Sequence, residues 1–284
     1  MRAVLCDAGN TRIRLLVLQQ RRAVLRWAVA GRAAAMFEDL PDGVRVFAVA
    51  ARGVLQEIGV AGRRVREVTA RDFAGRMRCL YDVRWLGGDR AANAYAARDL
   101  FPGEATAVVS AGTCVTVDLV RADGVFAGGL ILPGVRLALD AMRRGTAGLP
   151  HVGVPPTVPG IALSDRPIAN TTRDAMRCGV VVALCSTVER FLRSTGARRL
   201  VVTGGDAGII AAGVRGRVRP VIVVALALRG LALWLRDAGV LDDERFRAAS
   251  AHPALQARVR PVSQRYPSAF SAWSDAGGAW RRSR

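Results

Sequence analysis

The sequence predicts an α/β protein of two lobes with an internally duplicated core, and three observations carry that expectation. A strand, a small-residue turn and a second strand occur twice, about a hundred residues apart. The first set is Ala3-Val4-Leu5-Cys6, Asp7-Ala8-Gly9-Asn10-Thr11 and Leu15-Leu16-Val17-Leu18; the second is Val108-Val109-Ser110-Ala111-Gly112-Thr113 and Val115-Thr116-Val117-Asp118-Leu119-Val120. A third glycine turn, Gly204-Gly205-Asp206-Ala207, closes another apolar strand, Leu200–Thr203. With 284 residues, 51% of them apolar, the chain can fill two cores.

Residues 3–50 read as a strand meander. Cys6-Asp7 ends the first strand, Arg14–Leu18 makes the second, Val24–Val29 the third and Val44–Ala50 a later, buried one. Alternation in Arg12-Ile13-Arg14-Leu15 marks a half-solvated strand. Ala51–Val60 reads as helix and Arg66–Ala74 as a strand crossing back to the sheet. Asp89–Asp99 is helical, with Ala91, Ala92, Ala94, Ala96 and Ala97 suited to close packing and Asp89 at the amino-terminal end. Phe101-Pro102-Gly103-Glu104 breaks that helix and divides an N-terminal lobe, 1–104, from a second lobe, 105–241.

In the second lobe, strands are expected at Thr106–Ser110, Cys114–Arg121 and Val125–Leu132, the last two joined by the hairpin turn Ala122-Asp123-Gly124. Val135–Arg144 reads as helix after Pro133-Gly134, and Gly145–Pro167 as a long loop able to cover a site. Thr172–Arg193 is a long helix, Val221–Val224 the last strand and Ala225–Ala238 the last long helix. From Asp242, proline, serine, arginine and small residues without period predict a basic, disordered tail, 242–284.

Composition narrows the function classes. No apolar run reaches the roughly 18 residues of a membrane span, and Asp7 comes too early for a signal peptide, so a cytoplasmic protein with no membrane partner is expected. Cys6, Cys79, Cys114, Cys178 and Cys185 are odd in number, scattered and without a C-x-x-C pair, which predicts reduced, mostly buried thiols. His151 in a Pro/Gly-rich loop and His252 in the tail give little support to a histidine metal site or a Ser-His-Asp triad. The net charge of +19 comes entirely from arginine, spread along the chain without an aromatic-interleaved basic block. That pattern fits compositional bias, and nucleic acid is not the expected partner.

The chemistry-bearing residues sit at the turns. A small-residue turn directly after a strand, such as Asp7 to Thr11, lets backbone N–H groups approach phosphate oxygens, with Asp7 able to hold Mg2+ through water and Thr11 adding a hydroxyl. Taken singly, the same turn serves a tight hairpin equally well. Paired with Ser110-Ala111-Gly112-Thr113, it can grip a polyphosphate from both sides, and Gly204 to Ala207 can seat a nucleoside against the backbone. Gly87-Gly88-Asp89-Arg90 has two readings. It is a helix cap with a solvated neighbour, or Asp89 is a general base toward a substrate hydroxyl and Arg90 holds a substrate carboxylate.

Three glycine turns in this order resemble the actin, Hsp70 and sugar-kinase type of ATPase lobe pair. In detail, the chain resembles the type III pantothenate kinase (Bvg accessory factor) family over about residues 3–240. The matching motifs are Asp7-Ala8-Gly9-Asn10-Thr11-Arg12, Gly87-Gly88-Asp89-Arg90-Ala91-Ala92-Asn93, Gly112-Thr113, Gly128-Gly129-Leu130-Ile131-Leu132-Pro133-Gly134, Thr172-Arg173-Asp174-Ala175-Met176 and Gly204-Gly205-Asp206-Ala207.

The resemblance implies an actin/Hsp70/sugar-kinase-like (ASKHA) fold with a duplicated ribonuclease-H-like core. It implies ATP-dependent phosphorylation of the primary hydroxyl of pantothenate to 4'-phosphopantothenate, the first step of coenzyme A synthesis. By the same resemblance, ATP is bound by Asp7, Ala8, Gly9, Asn10, Thr11, Arg12, Ile13, Arg14 and Thr113. Asp89 takes the hydroxyl proton, and Tyr81, Gly87, Gly88, Asp89, Arg90 and Thr172 contact the substrate. Mg2+ with ATP, a monovalent cation (K+ or NH4+) and a homodimer with the substrate site near its interface are implied as well.

One position departs from the family. Its second turn begins with an aspartate that serves the monovalent-cation site; here Ser110 stands in that place, a neutral hydroxyl without charge. Asp118 lies eight residues on, where family members also carry an acid, and is not read as a replacement. The alternative function is a catalytically impaired relative acting as a regulatory or accessory factor, favoured by Ser110, the +19 charge and the basic tail and opposed by the intact Asp7, Asp89, Arg90 and Thr172. A kinase for another small hydroxy acid is the third reading.

Overall fold

Apolar runs broken by glycine turns pair into two sheets of the same plan, seen in a computed structural model that describes residues 3–19, 22–40, 44–51, 53–57, 65–155, 162 and 167–259. β1 (Ala3–Ala8), buried at every position, is central to the first sheet. β2 (Arg12–Gln19) and β3 (Arg22–Val29) extend it antiparallel on one side. β4 (Arg45–Ala50) and β5 (Val65–Glu67) extend it parallel on the other, giving the order β3-β2-β1-β4-β5. The second sheet repeats this. β6 (Thr106–Ala111), β7 (Cys114–Val120) and β8 (Phe126–Pro133) form the antiparallel meander, and β9 (Arg199–Thr203) and β10 (Pro220–Ile222) run parallel to β6. β11 (Arg258–Val259) adds an antiparallel edge. The order β11-β10-β9-β6-β7-β8 turns the weak sequence repeat into a duplicated topology, with β1 equivalent to β6.

The helices explain the alanine pattern. α1 (Ala34–Glu38), α2 (Val54–Glu57) and α3 (Ala70–Ala74) are short connectors. α4 (Gly88–Leu100) is buried from Arg90 through Ala97, which requires small side chains on every face. α5 (Val135–Gly145), α6 (Thr172–Thr195) and α7 (Ala207–Gly213) share one apolar core with the second sheet. α8 (Leu226–Asp237) crosses α4 at backbone contact: a Cβ on Gly230 would lie 1.9 Å from the Ala92 carbonyl oxygen. α4, α8 and side chains of both sheets therefore form one core, running from Leu5 and Phe47 to Val108 and Val201. α9 (Asp243–Ala251) then packs on β2 and β3.

Two expectations change. Arg66–Ala74 is not one strand: after β5 the chain turns into α3, where Thr69 N donates to Asp72 Oδ2 at 2.8 Å in a capping box. The disordered tail does not begin at Asp242, because Asp242 caps α9 by accepting from Arg245 N, and His252 Nδ1 accepts from Ala254 N in a short 3-10 turn. Residues 260–284 lie outside the described residues, as do parts of the expected helix 51–60 and of the loop 145–167. Among the described residues α2 spans only Val54–Glu57, and no helix is long and apolar enough to cross a membrane. All five cysteines are free, with Cys6, Cys178 and Cys185 buried and Cys114 exposed.

Candidate active site

The duplicated strands bring their turns together. Gly9 N donates to Arg12 O (3.1 Å), three residues on, and Gly112 N to Cys114 O (3.0 Å), two residues on, so each turn is closed by a glycine N–H and the second is one residue tighter. The Thr11 and Thr113 hydroxyls meet at 2.7 Å, so the two turns touch across the lobes. The third turn locks onto the second: Asp206 N donates to Ala111 O at 3.0 Å, and Gly204, at φ +98, passes so close that a Cβ would lie 2.2 Å from that same oxygen. Gly134, which starts α5, is pressed on the second turn likewise, with Gly134 N donating to Thr113 O at 2.9 Å.

Charge converges on these turns. Asp7 accepts from Arg14 Nη1 at 2.9 Å across the β1–β2 pair, where the two residues are register partners. Arg12 reaches the third turn, its Nη1 standing 3.2 Å from where a Gly205 Cβ would be. Burial, then Arg14, lowers the Arg12 pKa; Asp206 opposes that, and Arg136 of α5 adds to it. Ala8 and Ile13 have side chains in the core, so only their backbone can serve a ligand here.

Asp89 is placed by two contacts. Gly88 sits against the backbone of Val68 and Ala50, and Ala50 is the register partner of Ala8, so the first turn of α4 is carried to the end of β1. Asp89 therefore lies within the electrostatic reach of Asp7. Burial first, and the Asp7 charge second, push the Asp89 pKa up to about 6, against the pull of its backbone hydrogen bonds and of Arg90. A carboxyl with its pKa raised in this way, and with no ion pair among the described residues, suits proton acceptance.

Arg90, one residue on, is buried with its side chain 7% exposed. Its Nε donates to Asp118 Oδ2 at 3.1 Å and its Nη2 to Asp118 Oδ1 at 2.5 Å. Tyr81 lays its ring 5.1 Å from the guanidinium carbon and packs its edge on Phe126. Asn93, one turn further on α4, has a buried Oδ1 without a hydrogen-bond partner among the described residues.

Asp7, Thr11, Arg12, Arg14, Gly87 to Arg90, Tyr81 and Thr113 thus fall into one region joined by contacts. Thr172 does not join it: it is exposed in the first turn of α6, next to Thr171, whose hydroxyl is used up capping Asp174. Ser110 is on β6 opposite Thr116, two residues along the strand face from Asp118. The residues that sequence reasoning left without a role are Asp118, Arg136 and Asn93. The signal for Asp118 was its even spacing from Ser110 and Thr116 across one hairpin, which places all three on one face.

Two duplicated β-meanders with facing turns, a third glycine turn locked on the second and a half-buried carboxyl beside them make up a fold of the actin, Hsp70 and sugar-kinase class. Two solved structures share the fold. One is described as a Baf family transcriptional activator from Campylobacter jejuni (TM-score 0.57, 21% identity, covering 84% of this chain and 100% of that one). The other is described as a 2-dehydro-3-deoxygalactonokinase from Sinorhizobium meliloti (TM-score 0.54, 18% identity, 85% and 98%).

The sequence is more specific. The type III pantothenate kinase family model matches residues 44–194. Curated type III pantothenate kinases of Herminiimonas arsenicoxydans (33% identity over 236 residues, 73% of this chain and 88% of that protein) and Chromobacterium violaceum (33% over 242 residues, 80% and 97%) align along most of its length. The chain belongs to the type III pantothenate kinase family, kinases that pass phosphate to an alcohol.

Proposed function

We propose that this protein transfers the γ-phosphoryl of ATP to the primary hydroxyl of pantothenate, giving 4'-phosphopantothenate. The observation that carries the reading is Asp89: a carboxyl raised to about 6, beside Asp7 at the phosphate turns and next to a buried arginine that can take a substrate carboxylate. The backbone of Ala8 to Ile13 and the hydroxyls of Thr11 and Thr113 hold the polyphosphate, and Arg12 and Arg14 offset its charge. Asp89 accepts the hydroxyl proton as the oxygen attacks, while Arg90 and Tyr81 orient the acid end of the substrate. The transition state needs little covalent help, so position and charge do most of the work.

Kinases of this family use ATP with a divalent metal. Mg2+ takes one or two carboxylates with phosphate and water oxygens, and Asp7 with its neighbour Thr11 fits that demand. Bound with the nucleotide, Mg2+ neutralises charge on the phosphates. A charged monovalent-cation site fits less well. Ser110 offers a neutral oxygen, and both oxygens of the nearby Asp118 are taken by Arg90.

The same reading makes the protein a homodimer with the substrate site near the interface. An apolar groove between β8, α5 and α6, lined by Leu132, Met142, Met176, Val180 and Leu184, supports it, and Thr172 at the start of α6 would then serve the partner's substrate. A panel of hydroxy acids tested with ATP and Mg2+ checks the substrate. Pantothenate is expected to show the highest kcat/KM; a higher value for another acid overturns the reading.

A further inference from the structure

The Arg90–Asp118 pair asks for an explanation that packing alone does not give. A buried ion pair is seldom worth more to stability than apolar side chains of the same size. Here the surrounding chain is built to admit one. Gly129 of β8 is the register partner of Asp118, and a Cβ there would lie 1.9 Å from Val117 O and 2.8 Å from Asp118 Oδ1. Gly128, at φ +92, has the Tyr81 ring 3.0 Å from where its Cβ would be. The Gly128-Gly129 step thus lets β8 pass over Asp118 and Tyr81 where any side chain would collide.

The geometry of the pair is directional. Asp118 takes the Nε–Nη2 edge of the guanidinium, so the plane of Arg90 is set from one side, and Tyr81 covers a face of it. Nη1 is not bonded to Asp118. A guanidinium gripped along one edge holds its Nη1–Nη2 edge, with the N–H donors left on it, at a fixed orientation. Burial pulls the Arg90 pKa down, but the bonds to Asp118 and, less, the Tyr81 side chain raise it by more. The pair also spans the molecule, from the helix that bears Asp89 to the strand that follows Thr113.

We propose that Asp118 is a positioning residue: acting through Arg90, and with Tyr81 and the Gly128-Gly129 step, it sets the preference of the site for substrates ending in a carboxylate. This rests on the pantothenate kinase reading above. Asp118 touches no reacting atom; it fixes the arginine that recognises the acid.

The test compares pantothenate with pantothenol, which keeps the primary hydroxyl but ends in a neutral alcohol, in wild type, Asp118→Asn, Arg90→Gln and the double variant. The double variant leaves no buried charge and guards against misfolding, and binding of a non-hydrolysable ATP analogue confirms the fold in each. Asp118→Asn is expected to lower the pantothenate-to-pantothenol ratio of kcat/KM about tenfold, mainly through KM for pantothenate, with KM for ATP within about twofold. In the Arg90→Gln background, adding Asp118→Asn is expected to change the ratio no further. Equal losses for both substrates, or a further drop in the double variant, would show a merely structural pair and overturn the proposal. Calorimetric titration of both compounds reads the preference without turnover. A wild type that binds them alike overturns the inference; one that distinguishes them by binding but phosphorylates neither overturns the kinase reading and leaves the carboxylate recognition standing.

Discussion

Asp89→Asn separates the cost of the site to the fold from its value to the reaction. In the folded protein Asp89 titrates at about 6, against an ordinary value of 3.8. The folded state therefore binds this proton more tightly than the unfolded state. Stability falls as pH rises from about 4 to about 6 and carries the full penalty above that. A gap of about two units, at about 1.4 kcal/mol each, sets an upper figure of about 3 kcal/mol, and relaxation of the site brings the expectation to about 1–3 kcal/mol. Asparagine keeps the shape and removes both the charge and its repulsion from Asp7. The variant should melt about 2–8 °C higher than wild type at pH about 8, with the gain vanishing toward pH about 4. Its kcat should fall about 100-fold or more. Wild-type kcat/KM should rise with pH through about 6 and level above it, because the base must be ionised. Thermal melts by circular dichroism across pH, beside initial rates, read all three. A variant that melts lower at high pH, or keeps near-normal turnover, refutes Asp89 as a desolvated base.

Other contacts give sharper local tests. Thr113→Val removes the hydroxyl that meets Thr11 at 2.7 Å, and KM for ATP should rise about five- to tenfold while KM for pantothenate holds. Gly230→Ala puts a methyl 1.9 Å from the Ala92 carbonyl oxygen, so the α4–α8 crossing must open; a loss of about 2 kcal/mol or more, seen as a melt about 4–8 °C lower, is expected. Wild-type turnover should be the same in Na+, K+ or NH4+ salts, since Ser110 supplies no charge and Asp118 is engaged by Arg90. Ser110→Asp should gain a dependence on K+ or NH4+, and a wild type inactive without K+ contradicts this.

The turns and strands of the site were legible because their signals are local. Asp7 to Thr11 and Ser110 to Thr113 each follow an apolar strand directly, and the spacing of the two sets mirrors the equivalence of β1 and β6. α4 was legible from its alanines, although only the structure shows why they are needed: α8 lies at backbone contact on Gly230. What failed depended on distant partners. α9 buries little of its own, with Ala249 its one fully buried residue, and takes its support from β2, β3 and α8, so its sequence reads as tail. α3 was missed despite a local signal, the Thr69-to-Asp72 capping box, because the apolar Val65 and Val68 just before it and its own Phe73 also suit a strand. The bond between Arg90 and Asp118 joins residues 28 apart on different layers, and no periodicity records it. Nor does sequence show that Asp89 would be pressed toward Asp7, since that follows from Gly88 resting on Ala50 and Val68.

The most direct measurement is transfer of label from γ-labelled ATP, with Mg2+ and pantothenate supplied to the purified chain. The arrangement of Asp7, Thr113, Asp89 and Arg90 predicts that the label appears on the primary hydroxyl of pantothenate, one phosphate for each ADP formed, and that Asp89→Asn slows this about 100-fold or more. Label found only in inorganic phosphate, or transfer at a near-normal rate without Asp89, would contradict it.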